Sequence, residues 1–222
     1  MHVIAVASSK GGVGKTTISG HIAVEAQRKS IKPVILLDTD PQASLKDWWD
    51  ARTDYTPHLA SVALDKLPDN LPIWRGQGVA LVVIDTPPAI ADNIRAVISS
   101  CDLVVIPTRP SPHDLRAIGR TVEIANACGK PMVFVINGAA HRARITTAAV
   151  TELSQHGAVA PSILHQRTDF ATAMISGSTV QESYPAGKSA REVEDLWAYL
   201  HKLLLLQGSR SGSKARSARS AA

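Results

Sequence analysis

Aromatic side chains are scarce in this chain: Phe, Tyr and Trp together make up 4% of its 222 residues. Its core must then be filled by Ala, Val, Ile and Leu, which suits buried parallel strands covered by Ala-rich helices. Only two cysteines occur, Cys101 and Cys128, without metal-site spacing and too few for a disulfide framework. This points to a reducing compartment, with both thiols packing as small apolar groups. No apolar run is long enough to span a bilayer. The first residues read as a strand rather than a signal peptide, so a cytoplasmic protein is expected. Acids are missing from the C-terminus: residues 207–222 carry Arg210, Lys214, Arg216 and Arg219, which account for all but one unit of the net charge of +5. The body is thus nearly neutral. The Ser/Gly/Ala-rich stretch 207–222 is too poor in apolar side chains to fold alone and is expected to be a disordered basic tail.

What the chain does have is Lys10-Gly11-Gly12-Val13-Gly14-Lys15-Thr16-Thr17. It follows the apolar run Val3–Ala7 and precedes a helical pattern from about Thr16 to Lys29. Glycines in a strand–turn–helix context let the backbone approach an anion and aim N–H groups at it, and the helix N-terminus adds a positive dipole end. In such a loop Lys15 reaches β- and γ-phosphates and the Thr16 hydroxyl can ligate Mg²⁺. The strict phosphate-loop pattern fails at Ser9, and a second lysine, Lys10, stands just inside the loop.

That combination resembles the deviant Walker A signature of the ParA/MinD family of ATPases and matches it at every position. Further along, Pro33–Leu37 reads as a strand ending in Asp38-Thr39-Asp40-Pro41-Gln42, and Ala80–Ile84 as a strand ending in Asp85-Thr86-Pro87-Pro88. Strand ends of this kind are where open α/β sheets place ligands. The two stretches resemble the family's switch I and its Walker B and switch II segments. The resemblance implies that Asp40 orients the attacking water, that Asp38 supports the metal site or the positioning of the lysine, and that Asp85 holds Mg²⁺ through water. An ordinary strand end capping the next helix is the plainer reading of Asp38 and Asp40.

Leu103–Pro107 and Pro131–Asn137 read as further strands, the first followed by Thr108-Arg109-Pro110-Ser111-Pro112 and a helix from His113 to Ala127. The proline-rich turn resembles a dimer-interface segment of small ParA proteins, and is equally a stiffened loop before a helix. Asn137-Gly138-Ala139-Ala140 lacks the acid with which GTPases pair guanine, favouring adenine; Asn137 is by resemblance the base contact. Arg142 and Arg144 open the next helix, which runs to about Gln155. Cations there oppose the helix dipole and so hint at a functional anion. The stretch 162–167 resembles small ParA proteins of the ParF type and leads to a helix from Asp169 to about Ser176. The last helix spans about Ala190 to Leu206, with an apolar stripe that reads as core rather than membrane-binding. Residues 43–79 are hard to read: a short helix holding Trp48 and Trp49, either packed or a partner surface, and a strand over Leu59–Leu64. No internal repeat is present.

The expected fold is a single-domain α/β P-loop NTPase over residues 1–206, a mostly parallel twisted sheet with helices on both faces. The resemblance implies ATP hydrolysis with ATP and Mg²⁺ held by residues 10–17 (Lys10, Gly11, Gly12, Val13, Gly14, Lys15, Thr16, Thr17). It also implies an ATP-dependent homodimer, in which Lys10 reaches the partner's nucleotide, and a ParB-like or other adaptor protein that stimulates hydrolysis. Binding to non-specific DNA on the nucleoid would use Arg142, Arg144, Arg167, Lys188 and Arg191. The strand so close to Met1 leaves no room for a preceding DNA-binding module. A MinD-like membrane ATPase is the main alternative. Iron-protein-like or tail-anchor-targeting ATPases need interface cysteines that this chain lacks, a metabolic amidating ligase has no need of the Lys10 signature, and a non-hydrolysing module has no need of three acids.

Overall fold

The computed structural model describes the backbone of residues 1–88 and 91–220, and the side chains of 1–88 and 94–207. The chain begins β1 (His2–Val6), α1 (Lys15–Arg28), β2 (Val34–Asp38), α2 (Ser44–Asp50), β3 (His58–Ala60), α3 (Leu67–Gly76) and β4 (Leu81–Asp85). It continues α4 (Ala91–Ser100), β5 (Leu103–Thr108), α5 (Pro112–Ala117), α6 (Gly119–Ala127), β6 (Met132–Ala139) and α7 (Arg144–Ser154). Two short strands, β7 (Ala158–Val159) and β8 (Leu164–His165), precede α8 (Thr168–Ile175), α9 (Val180–Ser183) and α10 (Lys188–Ser220).

The sheet runs β3-β2-β4-β1-β5-β6-β7, with β8 paired to the far end of β6. All pairings among the described residues are parallel. This is the expected α/β class, and its physical basis is visible in β4 and β5, whose every residue is buried; apolar on both faces, they need helices above and below. The period-two alternation of a strand divides the core. Ile4 and Val6 face Ile18 and Ile22 of α1 and Leu196, Trp197 and Leu200 of α10. Val3 and Ala5 face the opposite layer, with Trp74 of α3, Ile98 of α4 and Leu153 of α7. β1 is central, and the segments after it and after β4 emerge side by side at the sheet's C-terminal edge.

Three expectations about the elements are corrected. The strand expected over Leu59–Leu64 is the three-residue edge strand β3, and Leu64–Lys66 is a 3₁₀ turn leading into α3. That helix carries Pro68 in its first turn, where proline is tolerated, and Pro72 inside, which masks it in the sequence. The helix expected from His113 to Ala127 breaks at Ile118, before Gly119. Finally, α10 does not stop near Leu206: its backbone is helical to Ser220. Extending a helix already docked on the core avoids the nucleation cost that the isolated segment would face.

Trp48 belongs to the core: it is 4% exposed, its ring covers Gly20 of α1, and its indole N–H donates to the Ser178 carbonyl at 3.0 Å. Arg52 stacks over the same ring at 4.8 Å and pairs with Glu182 at 2.8 Å, tying the end of α2 to α9. A second polar tie is His21 of α1. Its Nδ1–H donates to the Thr17 carbonyl at 2.7 Å, and its Nε2 accepts the Val180 N–H at 3.2 Å. Full burial pushes its pKa from 6.5 down to about 4. Between those values the unfolded chain takes up a proton that the folded chain refuses, so stability falls as pH falls, by about 3 kcal/mol in all. His21→Gln removes that contribution. Its urea midpoint is expected to drop less than that of wild type between pH 7.5 and pH 4.5; an equal drop in both proteins refutes the assignment.

Candidate functional site

The loop between β1 and α1 is shaped by two glycines with positive φ, Gly12 at 73° and Gly14 at 93°. Gly14 is also a close approach: a Cβ there would lie 2.1 Å from Asn137 Nδ2. Asn137, near the end of β6, donates from that same nitrogen to the Val13 carbonyl at 2.8 Å. Expected as the base contact, its amide nitrogen is instead engaged in bracing the loop. Ser9 explains the departure from the strict pattern. Its N–H donates to Thr121 Oγ1 at 3.1 Å, a bond glycine would keep, and its hydroxyl donates to the Ala117 carbonyl, so the side chain adds an anchor to α5 that glycine lacks.

α1 starts at Lys15 without a side-chain cap and without an acid in its first turn, leaving its terminal N–H groups to an external anion. Lys15 is 7% exposed, and its ammonium donates to the Lys10 carbonyl at 3.3 Å. Burial lowers its pKa, against the opposing pull of Asp85 and Asp40. A cation held half-desolvated in a ring of backbone amides awaits an anionic partner.

Asp85 is 1% exposed at the end of β4. Thr16 Oγ1 donates to one of its oxygens at 2.7 Å and Ser19 Oγ to the other at 3.1 Å. Burial pushes its pKa up to about 7, with the Thr16 bond acting against it and Asp38 adding to it. The geometry suits a carboxylate that positions a cation-ligating hydroxyl. Among the described residues no group of three or more acidic, His or Cys side chains could hold a metal by itself, as befits an ion that draws most of its ligands from phosphates and water.

Both oxygens of Asp38 meet backbone N–H groups. One oxygen accepts the Asp40 N–H at 3.0 Å, and the other accepts the N–H groups of Leu45 and Lys46 at 3.0 and 2.9 Å. The carboxylate caps α2 and shapes the turn, the plainer of the two readings of Asp38. Asp40, two residues on, accepts the Gln42 N–H at 3.0 Å and lines a cavity of about 490 Å³. Lys15, Thr16, Arg109, Asn137 and Arg167 share that wall. Lys10 turns back within its own chain to an ion pair with Asp114 of α5. Burial raises the Asp114 pKa, but hydrogen bonds from Lys10 and Ser111 outweigh it and hold the pKa below the usual range.

The five cations expected to meet DNA separate. Arg142 and Arg144 are exposed at the start of α7, and Lys188 and Arg191 are exposed at the start of α10. Arg167 does not belong with them: it lines the main cavity and pairs with Glu192 at 2.6 Å. Expected as a DNA contact, it is placed apart from the other four, its charge engaged by Glu192. Sequence reasoning also missed Ser19 and Asp114. Ser19 lies three residues after Thr16 and thus on the same helix face; Asp114 completes a serine-x-x-acid cap with Ser111.

Residues 4–180 match the CobQ/CobB/MinD/ParA nucleotide-binding domain family. The maintenance of carboxysome distribution protein A of Halothiobacillus neapolitanus is 32% identical over 200 residues, covering 85% of this chain and 91% of its own. Protein ParA of Rhizobium radiobacter is 28% identical over 211 residues, covering 90% and 94%. Among solved structures, the septum site-determining protein MinD from Pyrococcus horikoshii, complexed with Mg-ADP, superimposes with a TM-score of 0.76 at 16% identity, covering 93% of this chain and 98% of that one. Among the described residues, no helix is long and apolar enough to cross a membrane. With a glycine loop, a buried lysine and a hydroxyl–carboxylate pair at the central strand ends, the chain belongs to the CobQ/CobB/MinD/ParA nucleotide-binding family, as a ParA/MinD-type NTPase of the positioning and partition group.

Proposed function

We propose that the protein hydrolyses ATP and uses the cycle to position a cargo on DNA. The observation that carries this reading is the convergence of Thr16 and Ser19 on buried Asp85 beside Lys15, with Asp40 in the same cavity. Loop amides and Lys15 bind the β- and γ-phosphates and stabilise the charge that develops on the transferred group. Mg²⁺, when bound with the nucleotide, neutralises phosphate charge; Thr16 is its protein ligand and Asp85 orients that hydroxyl. Asp40 holds the attacking water, and Asp38 keeps the turn that carries Asp40 in place. The 490 Å³ cavity takes the adenine moiety beyond Asn137.

Lys10, released from Asp114, reaches the nucleotide of a second copy, so that ATP joins two subunits face to face. The dimer holds non-specific DNA through Arg142, Arg144, Lys188 and Arg191, which sit on segments flanking β8. Doubling a few cations makes weak binding strong enough to depend on the dimer. An adaptor protein on the cargo stimulates hydrolysis and releases the DNA. One relative named for the maintenance of carboxysome distribution and another named ParA make a large cytoplasmic body or a DNA molecule the fitting cargo class, on the nucleoid.

The basic segment beyond Leu206 competes with the body for the role of DNA anchor, and truncation separates them. Ended after Leu206, the protein is expected to bind a non-specific duplex only with ATP, and with steep salt dependence. If binding vanishes on truncation, or never depended on ATP, the body does not carry the switch.

A further inference from the structure

A second cavity, of about 320 Å³, lies at the start of α7, and His165 lines both it and the main cavity. Its wall includes Arg142, Arg144, Thr146, Thr147, Ile163 and His165. Three observations select an anion. The first turn of α7 contains no acid to offset its dipole; the Thr146 N–H donates to the Ala143 carbonyl at 3.0 Å, while those of Arg144 and Ile145 make no such bond among the described residues. Arg142 and Arg144 make no ion pair among the described residues, although cations at this end of a helix repel its dipole. Thr146 is 8% exposed, and its hydroxyl is buried without a hydrogen-bond partner, an arrangement that is costly unless a ligand satisfies it. No carboxylate is among the lining residues; Glu192, the partner of the lining His165, also holds Arg167.

We infer that this cavity is a phosphate seat, built from the α7 N-terminus, the Thr146 hydroxyl and the two arginines, and that its occupant is a phosphodiester of duplex DNA. The second half rests on the DNA-binding reading above. A nearly neutral body cannot hold DNA by diffuse charge and needs a placed contact. Lys188 and Arg191, exposed across β8, offer contacts for neighbouring phosphates. Hydrogen bonds from helix N–H groups and a hydroxyl fix the register of the backbone without reading sequence.

The test uses the full chain with ATP and Mg²⁺, a fluorescein-labelled non-specific duplex, and inorganic phosphate as a separate probe. Thr146→Val keeps the side-chain shape and removes the hydroxyl; it is expected to weaken duplex binding about fivefold or more. Arg144→Gln is expected to weaken it about tenfold and to lower the salt slope by about 1. Affinity for a fluorescent ATP analogue stays at the wild-type value in both, which reports an intact fold. In ¹⁵N spectra, phosphate should move the amide signals of residues 144–147 in wild type and not in the double variant. Unchanged duplex binding in both variants overturns the seat even if the chain binds DNA elsewhere. If wild type binds no duplex, the DNA reading fails separately. A phosphate response then overturns the phosphodiester and leaves a seat for free phosphate, while a silent spectrum overturns the cavity as an anion site.

Discussion

Lys15→Ala leaves a folded protein that no longer holds a fluorescent ATP analogue. The lysine is 7% exposed inside the loop, and among the described residues its ammonium makes one hydrogen bond, to the Lys10 carbonyl, long at 3.3 Å. Burial has lowered its pKa, so the free protein holds a cation that it would be more stable without. Phosphates repay that desolvation, and removing the lysine strands them among amides alone. Truncating one member of a desolvated charge pair costs about 3 kcal/mol or more, which is about a hundredfold or more in Kd. The same change puts alanine, the best helix former, at the first position of α1 and removes the buried charge. The urea midpoint of the free variant is therefore expected to equal or exceed that of wild type, opposite in direction to the loss of binding. Wild-type affinity in the variant would end the assignment of this loop to nucleotide.

Asp40→Ala is expected to bind ATP within about threefold of wild type while turnover falls about a hundredfold, in the range that a positioned acid–base group contributes. Asp40 lines the cavity, and among the described residues its carboxylate accepts a hydrogen bond from the Gln42 N–H alone, so its loss disturbs the turn little. Asp38, with its three backbone N–H groups, still holds the segment. A group that acts on water in the transition state and not on bound substrate lowers the rate without lowering affinity. With hydrolysis slowed, size-exclusion chromatography with ATP and Mg²⁺ should show a dimer that persists. A variant that turns over normally removes Asp40 from the chemistry.

The parts of the site that were legible in the sequence are those where geometry leaves few residue choices. Gly14 is forced by a positive φ and by Asn137 packed against it, and the body of a buried parallel strand such as β4, Leu81 to Ile84, is written in Val, Ile and Leu. Partners, by contrast, are not written beside the residues they hold. Arg167 looks like any surface cation until Glu192, 25 residues away, is seen to hold it. Asp38 occupies a motif position that fits a metal site equally well, and only the N–H groups of Leu45 and Lys46 show what it does. Residues 43–79 resist reading because Pro57, Pro68 and Pro72 punctuate the segment, and because Trp48 is fixed by Ser178, far along the chain. The length of α10 was missed for a related reason: composition describes the tail by itself, whereas the helix inherits its start from the core.

The pairing of Lys10 with Asp114 has a consequence for how a population of these molecules behaves. Asp114 is 7% exposed in its side chain and fixed at the first turn of α5 by Ser111, so the lysine is docked rather than waving in solvent. An ammonium that is occupied at home cannot serve as a general adhesive. Any second copy must offer a more anionic site than a single carboxylate before the lysine changes allegiance, and a nucleotide's phosphates are such a site. In the proposed ATP-joined dimer, crowded but unloaded molecules would thus stay apart, and encounter alone would not count as commitment.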